Sequence, residues 1–230
     1  MRTITEKELI HERLGDRFEH VLSLYDTQRR LEVLVDEFLG EDCLRGKHVL
    51  DVGAGLGFFS ERMQQKGAIV TAADIGAGLL RRVHERVGCE CRQVDALRLV
   101  EAFGENSFDV VLSSECIEHT PSPADALRQM CRVLKSGGKI AVSTPNVLWY
   151  PVVRAANLLK LRAFNGLENF SSFQCIREVL FTERVNILRE KGLHLFPFQL
   201  PLHSLSRWCD ESLQTLKGCM INLCVLGQKE

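Results

Sequence analysis

Hydrophobic positions change their period several times along these 230 residues. Leu22, Leu24, Leu31, Leu34, Val35 and Phe38 share one face of a helical repeat, which predicts helix through residues 1–45, ended at Gly40. Short apolar runs then alternate with helical stretches. Strands are predicted at Val49–Val52, Ile69–Asp74, Cys91–Val94, Phe108–Ser113 and Lys139–Ser143. Helices are predicted at Phe58–Gln65 and Leu79–Val87, and a third begins at Ser122. Ser122 suits a helix cap and Pro123 the first helical position; Leu127, Met130, Cys131 and Leu134 share a face, and Gly137-Gly138 provides a stop. Strands alternating with helices imply a parallel sheet covered on both faces. After Pro145-Asn146 the rhythm changes. A long connection runs to about Ser172, a helix covers about Phe173–Lys191, and strands at Leu193–Leu200 and Met220–Leu226 are joined by a helical excursion through Trp208.

The first strand enters a loop whose composition carries chemistry. His48–Ser60 reads HVLDVGAGLGFFS, with Gly53, Gly55 and Gly57 alternating before a helix. Glycine permits positive φ and lets a ligand approach the main chain, and the following helix aims its free N–H groups at the same spot. A pyrophosphate-binding loop has the spacing G-x-G-x-x-G; here the spacing is G-x-G-x-G, position 58 is Phe58, and the acid Asp51 stands at the strand end. A carboxylate is of no use to an anion site but suits a cationic ammonium. With Ala54 and Leu56 between the glycines, the run Val49–Gly57 resembles the first motif of the class I S-adenosylmethionine-dependent methyltransferases. That resemblance implies a Rossmann-like, doubly wound α/β fold: a mostly parallel seven-stranded sheet with an antiparallel last strand. It also implies a helical cap over residues 1–45, a cofactor-binding core over 46–146, a lid after the fifth strand over 147–172, and a C-terminal helix with edge strands over 173–230, all in one domain.

Ligands of an open parallel sheet sit at the C-terminal strand ends. The second strand ends at Asp74-Ile75, where an acid about 20 residues beyond the glycines is placed to accept both hydroxyls of a ribose. The third ends at Asp95-Ala96; in the family this acid meets the adenine amino group and the next backbone N–H faces the ring, although an Asp capping the following turn fits equally. The fourth ends in Ser113-Ser114-Glu115-Cys116-Ile117-Glu118-His119, which resembles the S-E-x-x-E-H signature of small-molecule methyltransferases of the ubiquinone/menaquinone type. The resemblance puts Ser113 and Ser114 along the methionine side of the cofactor, with Glu115 and His119 facing the departing methyl. Alignment and desolvation supply most of the acceleration in such a displacement. A hydroxyl acceptor adds a need for a base, and His119 is suited to that task, or to positioning the loop. In the cap, Tyr25 and Arg29-Arg30 occupy the region from which related enzymes send an aromatic and a basic residue to the cofactor carboxylate, while exposed arginines on a helix need no such role.

The lid departs from the quinone O-methyltransferases. Where they carry a G-T-H-D-type loop, this chain has Gly166-Leu167-Glu168-Asn169-Phe170, with Glu168 in the histidine's place, so no metal is assigned. Trp149, Tyr150, Phe164 and Phe170 suit either an apolar acceptor pocket or the underside of a lid, and the basic residues Arg154, Lys160 and Arg162 either an anionic or membrane surface or a solvated helix face. A net charge of −1 argues against a broad nucleic-acid footprint. Nine scattered cysteines without a C-x-x-C pair read as reduced thiols of a cytoplasmic protein. The polar start, Met1–Ile10, does not resemble a signal peptide, and no run approaches the ~18 apolar residues of a membrane span. The expected function is methylation of a small, largely apolar metabolite on oxygen, with S-adenosylmethionine as cofactor and neither nucleic acid nor stable membrane insertion. Alternatives are a lipid-linked, glycosyl or nitrogen acceptor, or a cofactor-binding protein without turnover. The missing N/D-P-P-Y/F tetrapeptide argues against amino-group methylation of RNA or protein, and the glycine spacing against an NAD-dependent oxidoreductase.

Overall fold

A computed structural model describes residues 23–159 and 166–230. Seven strands form one sheet in the order β3-β2-β1-β4-β5-β7-β6: β1 (His48–Val52), β2 (Ile69–Asp74), β3 (Glu90–Gln93), β4 (Phe108–Ser114), β5 (Leu134–Pro145), β6 (Val185–Leu193) and β7 (Asn222–Lys229). The first five run parallel, while β7 is antiparallel to both β5 and β6. The C-terminal ends of β1, β2, β3, β4 and β5 therefore share one edge of the sheet.

Both faces are covered, which is why the central strands are apolar at consecutive positions. Val49, Ala72, Val110, Leu112 and Ala141 face α2 (Phe58–Gln65), α3 (Ala77–Val87) and the N-terminal cap. Their neighbours Leu50, Val52, Ala73, Val111 and Val142 face α4 (Leu99–Phe103), α5 (Pro123–Val133) and α7 (Phe173–Thr182). The cap begins as α1 (Leu24–Leu31), widens into π-helical turns over Glu32–Leu39 and, after Gly40 at φ +65°, ends in a short helix to Leu44. Leu22 lies outside the described residues, and Leu24 is 65% exposed instead of joining the apolar face. Asp26, Thr27, Arg29, Arg30 and Leu31 are the buried residues of α1.

Three boundaries differ from the sequence expectation. α7 stops at Thr182, and after a turn Val185–Lys191 already belong to β6. The expected strand Leu193–Leu200 thus lies earlier, at Val185–Leu193, and the excursion before β7 carries α8 (His203–Ser212). The glycine pair does not end α5: Ser122 caps it as predicted, accepting from Asp125 N, but the helix gives way at Leu134, which already pairs with Phe108. Gly137 and Gly138 lie inside β5. A Cβ on Gly138 would stand 2.8 Å from both Leu134 Cδ1 and the Lys135 carbonyl oxygen and 2.9 Å from the Asp109 carbonyl oxygen, so crowding within β5 and from β4 explains that glycine.

Candidate active site

Gly53, Gly55 and Gly57 adopt φ of +75°, +54° and +83°. The turn is held to β2 because Gly53 N and Ala54 N both donate to the Ala73 carbonyl, at 2.8 and 3.2 Å. Asp74 completes the hold: one carboxylate oxygen accepts from Gly55 N at 3.0 Å and the other from Gly76 N at 2.9 Å. The opposite wall is close, since a Cβ on Gly53 would lie 2.4 Å from Cys116 Sγ. Asp51 sits beneath the loop, 2% exposed, and accepts from Ser60 Oγ at 2.6 Å. Burial, reinforced by the charge of Asp74, pushes its carboxyl up to about 7.

The next strand ends are tied to one another. The Ile75 carbonyl accepts from Gln93 Nε2 at 3.1 Å. Asp95 Oδ1 accepts from Leu97 N at 3.0 Å, so it caps the turn Ala96–Arg98 and buries Ala96 beside it. Ser113 is fully buried and donates to the Val52 carbonyl at 3.1 Å, fastening β4 to β1.

Beyond β4 the side chains converge. Ser114 Oγ lies 2.9 Å from Ser143 Oγ, which donates to Glu115 Oε1 at 3.1 Å. Glu115 holds a positive φ of +52°, which a non-glycine residue adopts at a cost. Burial and the adjacent Glu118 raise its pKa well above the ordinary carboxylate range. Glu118 is itself 1% exposed and accepts from Thr144 Oγ1 at 3.2 Å; burial pushes it up to about 8. His119 Nδ1 lies 2.7 Å from the Leu167 carbonyl. A carbonyl only accepts, so Nδ1 carries the proton and Nε2, 3.7 Å from Glu118 Oε1, is the basic nitrogen. Asn169 clamps the lid onto the same loop, its N–H donating to the Glu118 carbonyl at 2.8 Å and its side chain to the Thr120 carbonyl at 2.7 Å.

The cap delivers a cation to this end of the sheet. Arg30 is 5% exposed; its Nη1 donates to Ser114 Oγ at 2.6 Å, while Nε and Nη2 donate to Asp26 Oδ2 at 3.0 and 2.8 Å. Burial opposes ionisation of Asp26, but Arg30 and His194 outweigh it and hold the carboxyl below its usual value. Neither Arg29 nor Arg30 is a solvated surface arginine: Arg29, 3% exposed, pairs with Asp210 at 3.5 Å. Tyr25 turns elsewhere, stacking on His203 at 4.0 Å and donating to its carbonyl. Sequence reasoning singled out neither Glu118 nor the Asp26 partner of Arg30. The available signals were the second acid of S-E-x-x-E-H and an acid four residues before an arginine.

In the lid, Tyr150 and Phe170 pack edge to face at 5.6 Å, and Trp149 Nε1 donates to the Cys219 carbonyl at 2.9 Å. Helix α6 (Tyr150–Leu158) buries none of its residues. Lys160, Arg162 and Phe164 lie outside the described residues. Among the described residues no cluster suits a metal ion and no helix is long and apolar enough to cross a membrane.

The family described as "Methyltransferase domain" matches residues 50–142. The ubiquinone biosynthesis O-methyltransferase of Pseudomonas fluorescens Pf-5 is 35% identical over 179 residues, covering 74% of this chain and 75% of that protein. The Pseudomonas aeruginosa LESB58 protein of the same name is 35% identical over the same shares. The chain belongs to the S-adenosylmethionine-dependent methyltransferases, and S-adenosylmethionine is its cofactor. Two solved structures share its fold along nearly the whole chain. Magnesium protoporphyrin IX methyltransferase from Synechocystis PCC 6803 with bound SAH has a TM-score of 0.70 at 15% identity, covering 98% of this chain and 100% of that one. A putative sarcosine dimethylglycine methyltransferase from Galdieria sulphuraria has a TM-score of 0.68 at 16% identity, covering 98% and 99%.

Proposed function

We propose that this methyltransferase acts on a hydroxyl of a small, largely apolar acceptor. The observation that carries the reading is His119, whose Nδ1–H is fixed on the Leu167 carbonyl so that Nε2 is the basic nitrogen beside the fourth strand end. The relatives named for ubiquinone biosynthesis O-methylation support the same choice of atom.

The residues fit the cofactor. Gly53, Gly55 and Gly57 hold the positive φ that the turn before α2 requires, and Asp74 at the end of β2 suits the ribose hydroxyls. Asp95 and Ala96 suit the adenine. Of the five N–H donors of Arg30, two meet Asp26, one Thr27 and one Ser114, which leaves one Nη1 hydrogen without a partner among the described residues. That hydrogen suits the carboxylate of the amino-acid end, with Ser114 beside it. When bound, the cofactor supplies a methyl group on a sulfonium, an excellent leaving group.

His119 Nε2 takes the proton of the acceptor hydroxyl. The imidazolium so formed stands 3.7 Å from the buried Glu118 carboxyl. The Asn169 clamp and the His119–Leu167 contact tie residues 167–169 to the loop after β4. An acceptor with a long apolar tail is the second reading, favoured by the exposure of Leu148, Val152 and Leu158 in the lid. The test is transfer of an isotope-labelled methyl to matched phenol, amine and prenylated phenol acceptors. Transfer to the phenols supports oxygen as the target, and preference for the prenylated one supports the second reading. Transfer to amines alone would overturn both.

A further inference from the structure

We propose that His194, acting through Asp26, is a positioning residue for Arg30 and thereby sets how firmly the carboxylate end of the cofactor is held. The inference rests on the reading of Arg30 given above. Arg30 reaches the site from a helix of the cap, and a guanidinium on a long side chain needs a support to keep one direction. Asp26, one turn earlier, is that support, but a carboxylate supports only if it is itself fixed.

The two oxygens of Asp26 divide their work. Oδ2 takes both bonds from Arg30, while Oδ1 accepts from His194 Nε2 at 3.0 Å and from Asn222 Nδ2 at 3.3 Å. A carboxylate only accepts, so Nε2 of His194 carries the proton toward Asp26, and Nδ1 faces Ser206 Oγ at 3.3 Å. The imidazole is fully buried, and its backbone N–H is pinned to Asp210 Oδ1 at 2.7 Å. Residue 194 sits at φ +62°, where asparagine is better tolerated than most other non-glycine residues. The path is continuous: His194 holds Asp26, Asp26 holds Arg30, and Arg30 donates to Ser114 at the end of β4. Among the described residues, His194 makes no hydrogen bond to Ser114 or to the strand-end residues proposed to meet the cofactor.

A buried histidine that merely fastened the C-terminal segment to the cap would affect every ligand alike. A positioning residue for a carboxylate clamp affects only ligands that carry the carboxylate. S-adenosylhomocysteine carries it; methylthioadenosine keeps the adenosine and the sulfur and lacks the amino-acid end. Dissociation constants for both are measured by titration calorimetry on the full chain and on Arg30→Gln, His194→Asn and His194→Gln. Asparagine suits the positive φ but withdraws the donor that reaches Asp26, whereas glutamine places an amide N–H near the Nε2 position.

Arg30→Gln is expected to weaken S-adenosylhomocysteine by roughly 10–100-fold and leave methylthioadenosine within about twofold. His194→Asn is expected to weaken S-adenosylhomocysteine by roughly 3–10-fold with methylthioadenosine again unchanged, and His194→Gln to restore most of the loss. Equal weakening of both ligands in His194→Asn overturns the proposal, as does unchanged S-adenosylhomocysteine binding there while Arg30→Gln weakens it. Unchanged binding in Arg30→Gln removes the reading of Arg30 itself, and the proposal with it. If His194→Asn does not fold, Asp26→Asn, which keeps the side-chain volume, is put through the same pair of titrations with the same criteria.

Discussion

Gly53→Ala tests the glycine loop where two independent penalties meet. The residue holds φ at +75°, and a left-handed backbone costs a residue with a Cβ roughly 1–2 kcal/mol. The new methyl would also stand 2.4 Å from Cys116 Sγ and 2.5 Å from Cys116 Cβ. Relief requires the loop after β4 to move, and overpacking of this kind costs about 1–3 kcal/mol. The sum is roughly 2–5 kcal/mol, or a fall in melting temperature of about 4–20 °C for a chain of this size. The two penalties can be separated. With Cys116→Gly the nearest remaining atom of that residue is its Cα, 3.7 Å away. A double-mutant cycle of Gly53→Ala with Cys116→Gly, read by urea unfolding, is expected to return the packing share and leave the conformational share. A Gly53→Ala protein that melts within a degree of the parent, or a cycle with no coupling, would refute the close approach of the two loops.

Three other outcomes are expected. Asp74→Ala weakens S-adenosylhomocysteine binding by about 1.5–3 kcal/mol, measured by calorimetry; unchanged affinity places the ribose elsewhere. His119→Ala lowers the turnover number at least tenfold and leaves S-adenosylhomocysteine affinity within about twofold, whereas full turnover removes it as the base. Asp51 keeps its proton up to about pH 7 when folded but only to about 3.9 when unfolded, so its protonated form favours the fold below pH ~4 and that contribution fades as pH rises through 7. Asp51→Asn therefore gains stability relative to the parent between pH 5 and pH 8 in urea unfolding; a pH-independent difference contradicts the raised value.

The half of the chain around the glycine loop was legible because local signals coincide with tertiary structure there. Consecutive apolar residues mark strands covered on both faces, and glycine and acid mark their ends. β6 was misread for a physical reason. It is the sheet edge, Asn186–Arg189 are exposed, and its charges find distant partners such as Arg177 for Glu190 and Glu37 for Lys191. A polar edge strand and a solvated helix then look alike in sequence. Gly137-Gly138 looked like a helix stop because its constraints, the positive φ of Gly137 and the crowding of Gly138 by Leu134, Lys135 and the Asp109 carbonyl, arise inside a strand and from its neighbour. The S-E-x-x-E-H signature and the strand-end acid Asp74 were visible locally. The burial of Arg29 and Arg30 was not, since their counterparts run from Asp26 through His194 to Asp210.

The position of β7 also dictates an order of events in folding. β6 is made before β7 but has no other neighbour in the sheet, and β5 receives β7 across a gap that runs from Pro145 to Asn222. Such distant pairings close slowly. Until β7 slides between them, one side of β5 and the whole of β6 present unpaired backbone, the type of edge that recruits other chains. Refolding is therefore expected to be paced by the docking of β7, with aggregation competing at the open flank of β5.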